Sequence, residues 1–276
     1  MEHFGRGDMF FDVLDAGAAD APVVVLLHGH PQTNLAWGEV IPRLTSSGYR
    51  CLAPNQRGVS PSARPTRRRD YRMSELVEDV GALVEASGAD RVHLVGHDYG
   101  GLVAWSFAAK YPGLVWTLSS LSSPHPAALQ DAMLTSRQGL ASWYAYFYQL
   151  PLIPEWYYLG AARSGKRLAK MLRSGGQQPG LADRDAEAMT KPGAYTAALN
   201  WYRAAPWAGR VGKVAVPALM IWSDGDSYIL ERAARRSERY VTHDFRFEVV
   251  RGSHWIPDEQ PDAVAKTLMD WFAQWA

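Results

Sequence analysis

The chain has one cysteine, Cys51, in 276 residues. That excludes an intramolecular disulfide and suits a reducing compartment. No apolar run approaches 18 residues, and no charged-then-apolar leader opens the chain, so a soluble, cytoplasmic protein is expected. Neither sign of charge dominates. Lys and Arg total 29 against 28 Asp and Glu, a formal net charge of +1, so no bulk field draws the molecule to nucleic acid or to an anionic membrane. Internal repeats and low-complexity segments are also missing. Oligomeric state is not legible. What is present is a 47% apolar composition, enough for a sizeable core in one large α/β domain with or without an inserted lid.

Phe10 to Asp15 reads as an opening strand, and Arg6-Gly7-Asp8 before it as a solvated turn. Val23-Val24-Val25-Leu26-Leu27 is continuously apolar, the pattern of a strand buried on both faces of a parallel sheet. It ends in His28-Gly29-His30-Pro31, where Gly29 permits close backbone approach and Pro31 stiffens the loop, a cis bond being one way to do so. A helix is expected over 35–47, a strand over 50–54, and a helix over 73–87 with apolar residues at helical spacing. The five arginines between Arg64 and Arg72 read as a solvated loop.

Val92 to Val95 is the central strand, and Gly101 to Phe107 begins a helix. Between them Gly96-x-Asp98-x-Gly100 has the spacing of a nucleophile elbow with aspartate where serine is usual. On this motif alone two readings stand: a nucleophilic carboxylate on a strained turn, or an aspartate that caps the helix. A strand over 114–121 follows and closes at Ser122-Ser123-Pro124-His125-Pro126. From there to Trp207 the alternation of strand and helix stops and aromatics crowd, which predicts a mostly helical cap over 125–207 inserted into a core of 1–124 and 208–276. Strands resume near 216–222 and 245–250, and a helix over 261–275 closes the chain. The alternation around the insertion predicts a doubly wound, mostly parallel sheet.

The strand at 219–222 runs into Asp224-Gly225-Asp226, and that at 245–250 into Gly252-Ser253-His254. A nucleophile, an acid and a histidine therefore follow in order, each on a loop at the same sheet edge. Of the eight histidines only His254 has that context. His28 and His30 belong to the first loop, and His3, His93, His97, His125 and His243 read as structural or solvated.

These segments make the chain resemble the α/β-hydrolase superfamily and, within it, the epoxide hydrolases with an aspartate nucleophile. His28-Gly29-His30-Pro31 matches the HGxP loop, Gly96-His97-Asp98-Tyr99-Gly100-Gly101 the elbow, and Asp224-Gly225-Asp226 the acid loop, whose second aspartate is usually the triad member. The resemblance implies Asp98 as nucleophile, Asp226 and His254 completing a triad, and the backbone N–H groups of His30 and Tyr99 as the oxyanion hole. Similar cap segments carry two tyrosines that hold the epoxide oxygen. Counting back from Gln149-x-Pro151 gives Tyr144, with Tyr146 and Tyr148 as fallbacks, and Ala198-Leu199-Asn200-Trp201-Tyr202 gives Tyr202. The implied substrate is a small hydrophobic epoxide with water, and neither cofactor nor metal is implied.

The chain departs from the family pattern at Tyr99, where tryptophan is commoner, and at Asn55, where aspartate is usual. A haloalkane or haloacetate dehalogenase shares the fold and triad but needs N–H donors for halide, and Trp143, Trp156, Trp201 and Trp207 supply candidates. The third reading is a non-catalytic binding protein that kept the pocket, since fold alone does not establish activity.

Overall fold

The computed structural model describes residues 1–275. Eight strands form one sheet: β1 (His3–Arg6), β2 (Met9–Ala16), β3 (Val23–Leu27), β4 (Arg50–Pro54), β5 (Val92–His97), β6 (Val115–Leu121), β7 (Ala218–Ser223) and β8 (Phe245–Val250). Their spatial order is β1-β2-β4-β3-β5-β6-β7-β8. β1 and β2 pair antiparallel at one edge, and every pairing from β4 to β8 is parallel.

The apolar run of β3 explains its place. Val23, Val25 and Leu27 point into a core walled by α2 (Met73–Ser87) and α3 (Tyr99–Lys110), while Val24 and Leu26 point into a second core with α1 (Val40–Ser46) and the closing helix Pro261–Phe272. A period of two with both faces apolar is what helices on both sides of a sheet require. From β3 the chain moves outward to β4 and then returns to β3's other side as β5. The strand order therefore reverses between β3 and β5, whose register sets Leu27 opposite Gly96. Such a reversal opens a crevice at the carboxyl ends of the strands, and here the His28 and Asp98 loops border it.

Between β6 and β7 the chain runs through seven helices: α4 (Pro126–Thr135), α5 (Gln138–Ala141), α6 (Trp143–Phe147), α7 (Ile153–Leu159), α8 (Lys166–Ser174), α9 (Pro179–Thr190) and α10 (Ala194–Arg203). α6 to α10 share a core of their own built on Leu168, Leu172, Tyr195 and Leu199. α11 (Glu231–Arg235) follows β7, and α12 (Ile256–Glu259) and α13 (Pro261–Phe272) end the fold.

Four expectations are corrected. β1 was not anticipated, because a four-residue edge strand with one buried side chain leaves no periodic signal. The helix expected over 35–47 is a short 3₁₀ turn at Asn34–Trp37 followed by α1, with Thr33 capping the turn. Arg6 does not lie in solvent. Its guanidinium binds Glu75 and Asp79 of α2, each at 2.8 Å, and ties the antiparallel edge to the core. In the arginine run Arg67, Arg68 and Arg69 are exposed, whereas Arg64 donates to the carbonyls of Gly58 and Val59, both at 2.8 Å.

Candidate active site

β5 delivers Asp98 on a turn with φ 50° and ψ −121°, a backbone conformation that costs about 1–3 kcal/mol. The turn exists because Cβ atoms are missing where the chain folds onto itself. A Cβ on Gly96 would fall on the Gly100 carbonyl oxygen, and one on Gly29 would come within 2.5 Å of the Asp98 Cβ. Asp98 makes no side-chain capping bond to α3, so the helix-cap reading does not describe its carboxylate. The carboxylate instead accepts the His30 backbone N–H on Oδ1 at 2.8 Å and faces His254 Nε2 with Oδ2 at 3.4 Å. The His30-Pro31 peptide is cis.

His254 Nδ1 donates to Asp226 Oδ2 at 2.9 Å. The other oxygen of Asp226 accepts the backbone N–H groups of Tyr228 and Ile229, at 2.8 and 2.9 Å. Asp224 takes no part in this line; its exposed carboxylate accepts the Gly252 N–H at 3.1 Å and braces the loop. Of the two aspartates of that loop, it is Asp226 whose carboxylate meets His254. Burial alone would raise the Asp98 carboxyl, but the hydrogen bond and charge of His254 outweigh it and hold the group at about 2. Burial likewise opposes a charged His254, yet Asp226 and then Asp98 push the imidazole up to about 10. Both shifts favour a protonated His254 facing the Asp98 carboxylate.

Two chambers meet at Asp98. The smaller, about 280 Å³, is walled by His30, Tyr148, Tyr158, Tyr228, His254 and Trp255 among others. The larger, about 660 Å³, extends under α4 past Leu102, Leu129, Met133 and Ile229. Asp98, Tyr144 and Tyr202 line both. The rings of Tyr144 and Tyr202, from α6 and α10, stand edge to face with centroids 6.1 Å apart. Burial first, and then the Asp98 charge, raise both phenols well above 10, so both hydroxyls keep their protons. Tyr146 turns away and is 63% exposed, whereas Tyr148 is buried against Tyr202 and His30. The Tyr99 hydroxyl is committed to the Trp201 carbonyl at 2.7 Å. Asn55 stays in its loop, where its Oδ1 accepts the Asn34 N–H at 2.9 Å.

Two side chains at the site escaped the sequence. Tyr228 packs edge-on against the His254 ring at 4.9 Å, and its N–H helps hold Asp226. Its signal was the spacing Asp226-x-Tyr228-Ile229, an aspartate whose side chain can turn back onto the next free N–H groups. His97 is buried with its ring 4.9 Å from that of His254. Its Nε2 lies 2.8 Å from the His254 carbonyl, and its Nδ1 lies 3.1 Å from the Gln32 amide. Gln32 in turn reaches Asp258 of α12 at 3.0 Å, which also meets Arg184 of α9. Burial raises Asp258 to about 7 against the pull of Arg184. No spacing rule joins residues 32, 97 and 258; only the sheet edge does. Among the described residues no cluster of three or more His, Cys, Asp or Glu side chains could hold a metal ion.

Residues 22–155 match the family model described as alpha/beta hydrolase fold. The chain is 34% identical over 280 residues to the Bacillus subtilis AB hydrolase superfamily protein YfhM, covering 94% of this chain and 93% of that protein. It is 32% identical to Xenopus tropicalis epoxide hydrolase 3, covering 96% and 75% respectively. The crystal structure of Cfl2 from Burkholderia cenocepacia superposes with a TM-score of 0.84 at 27% identity, over 98% of this chain and 95% of that one.

Proposed function

The chain belongs to the epoxide hydrolase family of the α/β hydrolases, and we propose that it opens an epoxide to a vicinal diol through an ester on Asp98. One observation carries this reading: an ionised carboxylate shares its cavity with two protonated tyrosines that project from a different part of the fold. A carboxylate suits displacement at a saturated carbon and leaves an ester that water can cleave. Opening the ring creates an alkoxide, a poor leaving group, and Tyr144 and Tyr202 supply its hydrogen bonds and a proton. Such acid assistance is worth about 10²–10⁴-fold.

The resting imidazolium fits this sequence of steps. Asp98 attacks carbon, the C–O bond breaks, and the alkoxide takes a proton from a tyrosine. His254 returns a proton to that phenolate and becomes neutral. Its affinity for protons falls at this point, because Asp98 is now an uncharged ester and one of its two carboxylate partners is gone. Neutral His254, oriented by Asp226, then takes a proton from water as the oxygen adds to the ester carbonyl. The His30 N–H already on Asp98 Oδ1, with the N–H of Tyr99, holds the developing oxyanion. On collapse the departing alkoxide takes the proton held by His254, and the new Asp98 carboxylic acid gives its proton to the imidazole, which releases the diol and restores the carboxylate and the imidazolium. The substrate this implies is a small hydrophobic epoxide, with water as co-substrate and no cofactor, in a cytoplasmic enzyme whose helical segment 125–207 serves as the cap.

A single turnover in heavy-oxygen water tests the covalent step. The label should appear in the Asp98 carboxylate, and label in the diol alone would mean direct attack by water. Dehalogenation remains the second reading because of Trp255, which lines the smaller chamber and whose buried indole N–H has no acceptor among the described residues. Trp201 is not free for halide, since its N–H is held by the Arg57 carbonyl at 2.7 Å. Chloride release from small chloroalkanes that falls in Trp255→Phe would favour this reading.

A further inference from the structure

Charge is balanced over the whole chain but segregated within the helical insertion. Residues 132–182 contain six basic residues, Arg137, Arg163, Lys166, Arg167, Lys170 and Arg173, and one acid, Glu155. Glu155 adds nothing to the surface, being buried and paired with Arg203 at 2.7 Å. Arg173 meets Asp183, but Arg163, Lys166, Arg167 and Lys170 are exposed and enter no ion pair among the described residues. On α8, Leu168, Ala169 and Leu172 point inward, so its outer face is cationic.

Beside this face the chain turns apolar groups outward. Leu150-Pro151-Leu152 is an exposed loop without a polar side chain, and it runs into Ile153 at the start of α7. Leu152 at its tip is 73% exposed and held at φ 63°, a conformation unusual for a residue with a branched side chain. Ile153 and Trp156 follow, the latter 64% exposed. Aromatic and cationic groups of α6, α7 and α8 meet at Tyr157. Trp143 lies 6.0 Å from Phe147, Phe147 lies 5.8 Å from Tyr157, and the Arg167 guanidinium sits 5.6 Å over the Tyr157 ring.

We propose that this face binds the surface of an anionic lipid bilayer. Leu152, Ile153 and Trp156 enter the boundary between headgroups and acyl chains, and Arg163, Lys166, Arg167 and Lys170 meet the anionic headgroups. Exposed leucine, isoleucine and tryptophan beside unpaired Lys and Arg is the combination that interfacial binding uses. A second copy of the chain fits less well. A two-fold axis brings a patch against itself, and here it would press two unpaired cationic strips together. The net charge of +1 argued against a membrane only because it averaged this segregation away. The placement also bears on substrate delivery, since α6 and α8 wall the smaller chamber through Trp143 and Met171. A hydrophobic substrate dissolved in the bilayer would meet that wall first.

Vesicle co-sedimentation of the full-length protein tests the proposal. Vesicles of phosphatidylcholine with a third phosphatidylglycerol should carry the protein down at low salt, and vesicles of phosphatidylcholine alone far less. With each surface basic residue contributing about fivefold, Lys166→Gln with Lys170→Gln should lower partitioning roughly 30-fold. Leu152→Ser with Trp156→Ser should abolish it. Both variants should keep wild-type turnover of a water-soluble substrate, which shows that they fold. No sedimentation above the vesicle-free control would overturn the proposal. So would a wild-type dimer in analytical ultracentrifugation that Leu152→Ser with Trp156→Ser dissociates, since the face would then be a self-interface.

Discussion

His254 Nε2 lies 3.4 Å from Asp98 Oδ2 while its Nδ1 is hydrogen-bonded to Asp226 at 2.9 Å, so a single imidazole serves two carboxylates. One of them is consumed in the first half of the proposed reaction. The histidine is needed as a base only after that has happened. His254→Gln should therefore still form the ester but not cleave it. Intact-protein mass spectrometry should show a stable adduct of substrate mass, absent in Asp98→Ala.

The same pair sets a pH dependence with a definite sign. His254 is raised from its ordinary 6.5 to about 10 in the folded protein. The folded state therefore binds the proton more tightly than the unfolded one, and this stabilisation is complete below about pH 6.5 and lost as pH rises towards 10. Unfolding in urea at pH 7, 8.5 and 10 should show wild-type stability falling, with a flatter profile in His254→Gln. Asp98, held at about 2, should remain a competent nucleophile down to the lowest pH at which the fold survives.

Tyr144 and Tyr202 act only on the leaving oxygen in this scheme. Tyr144→Phe with Tyr202→Phe should slow ester formation by about 10²–10⁴-fold and leave ester hydrolysis nearly unchanged. Each single variant should lose less, because the remaining hydroxyl still reaches the same oxygen. Stability should change by no more than about 1–2 kcal/mol. Single-turnover kinetics separate the two steps, and wild-type ring opening in the double variant would remove the tyrosines from the mechanism.

The two aspartates of the acid loop should behave differently. Asp226→Asn removes the charge that orients His254 and should cost more in turnover than in ester formation. Asp224→Asn loses only a brace to the Gly252 N–H and should stay within a few-fold of wild type. Steady-state rates of the two variants decide the matter, and the reverse order would reassign the acid.

Asp258 offers a second pH signature behind the site. Its carboxyl is raised from 3.8 to about 7, so between those values the folded protein holds a proton that the unfolded chain releases. Stability from this group falls as pH rises from about 4 to 7. Asp258→Asn, which is neutral throughout, should flatten the profile in that window when melting temperature is followed against pH.

The sequence alone determined the order of strands and loops around the site. Apolar runs that end in small residues have few alternatives to buried parallel strands, and functional groups just beyond them must gather at one sheet edge. Gly29, Gly96 and Gly100 marked the places where only a missing Cβ allows the elbow, and Asp98 lay at its centre. Tertiary structure decided what local pattern leaves degenerate. Asp224 and Asp226 are two residues apart in one turn, and only the positions of His254 and Gly252 separate their roles. Tyr144 and Tyr146 lie on one short helix with Tyr148 at its C-cap, and packing against Tyr202 decides that 144 and 148 face inward and 146 outward. His97, Gln32 and Asp258 meet through contacts between loops distant in sequence. The aromatic and aliphatic residues from Trp143 to Tyr157 have the composition of a core, yet several face solvent. Composition records how apolar a segment is, but whether another element covers it depends on how the helices stack.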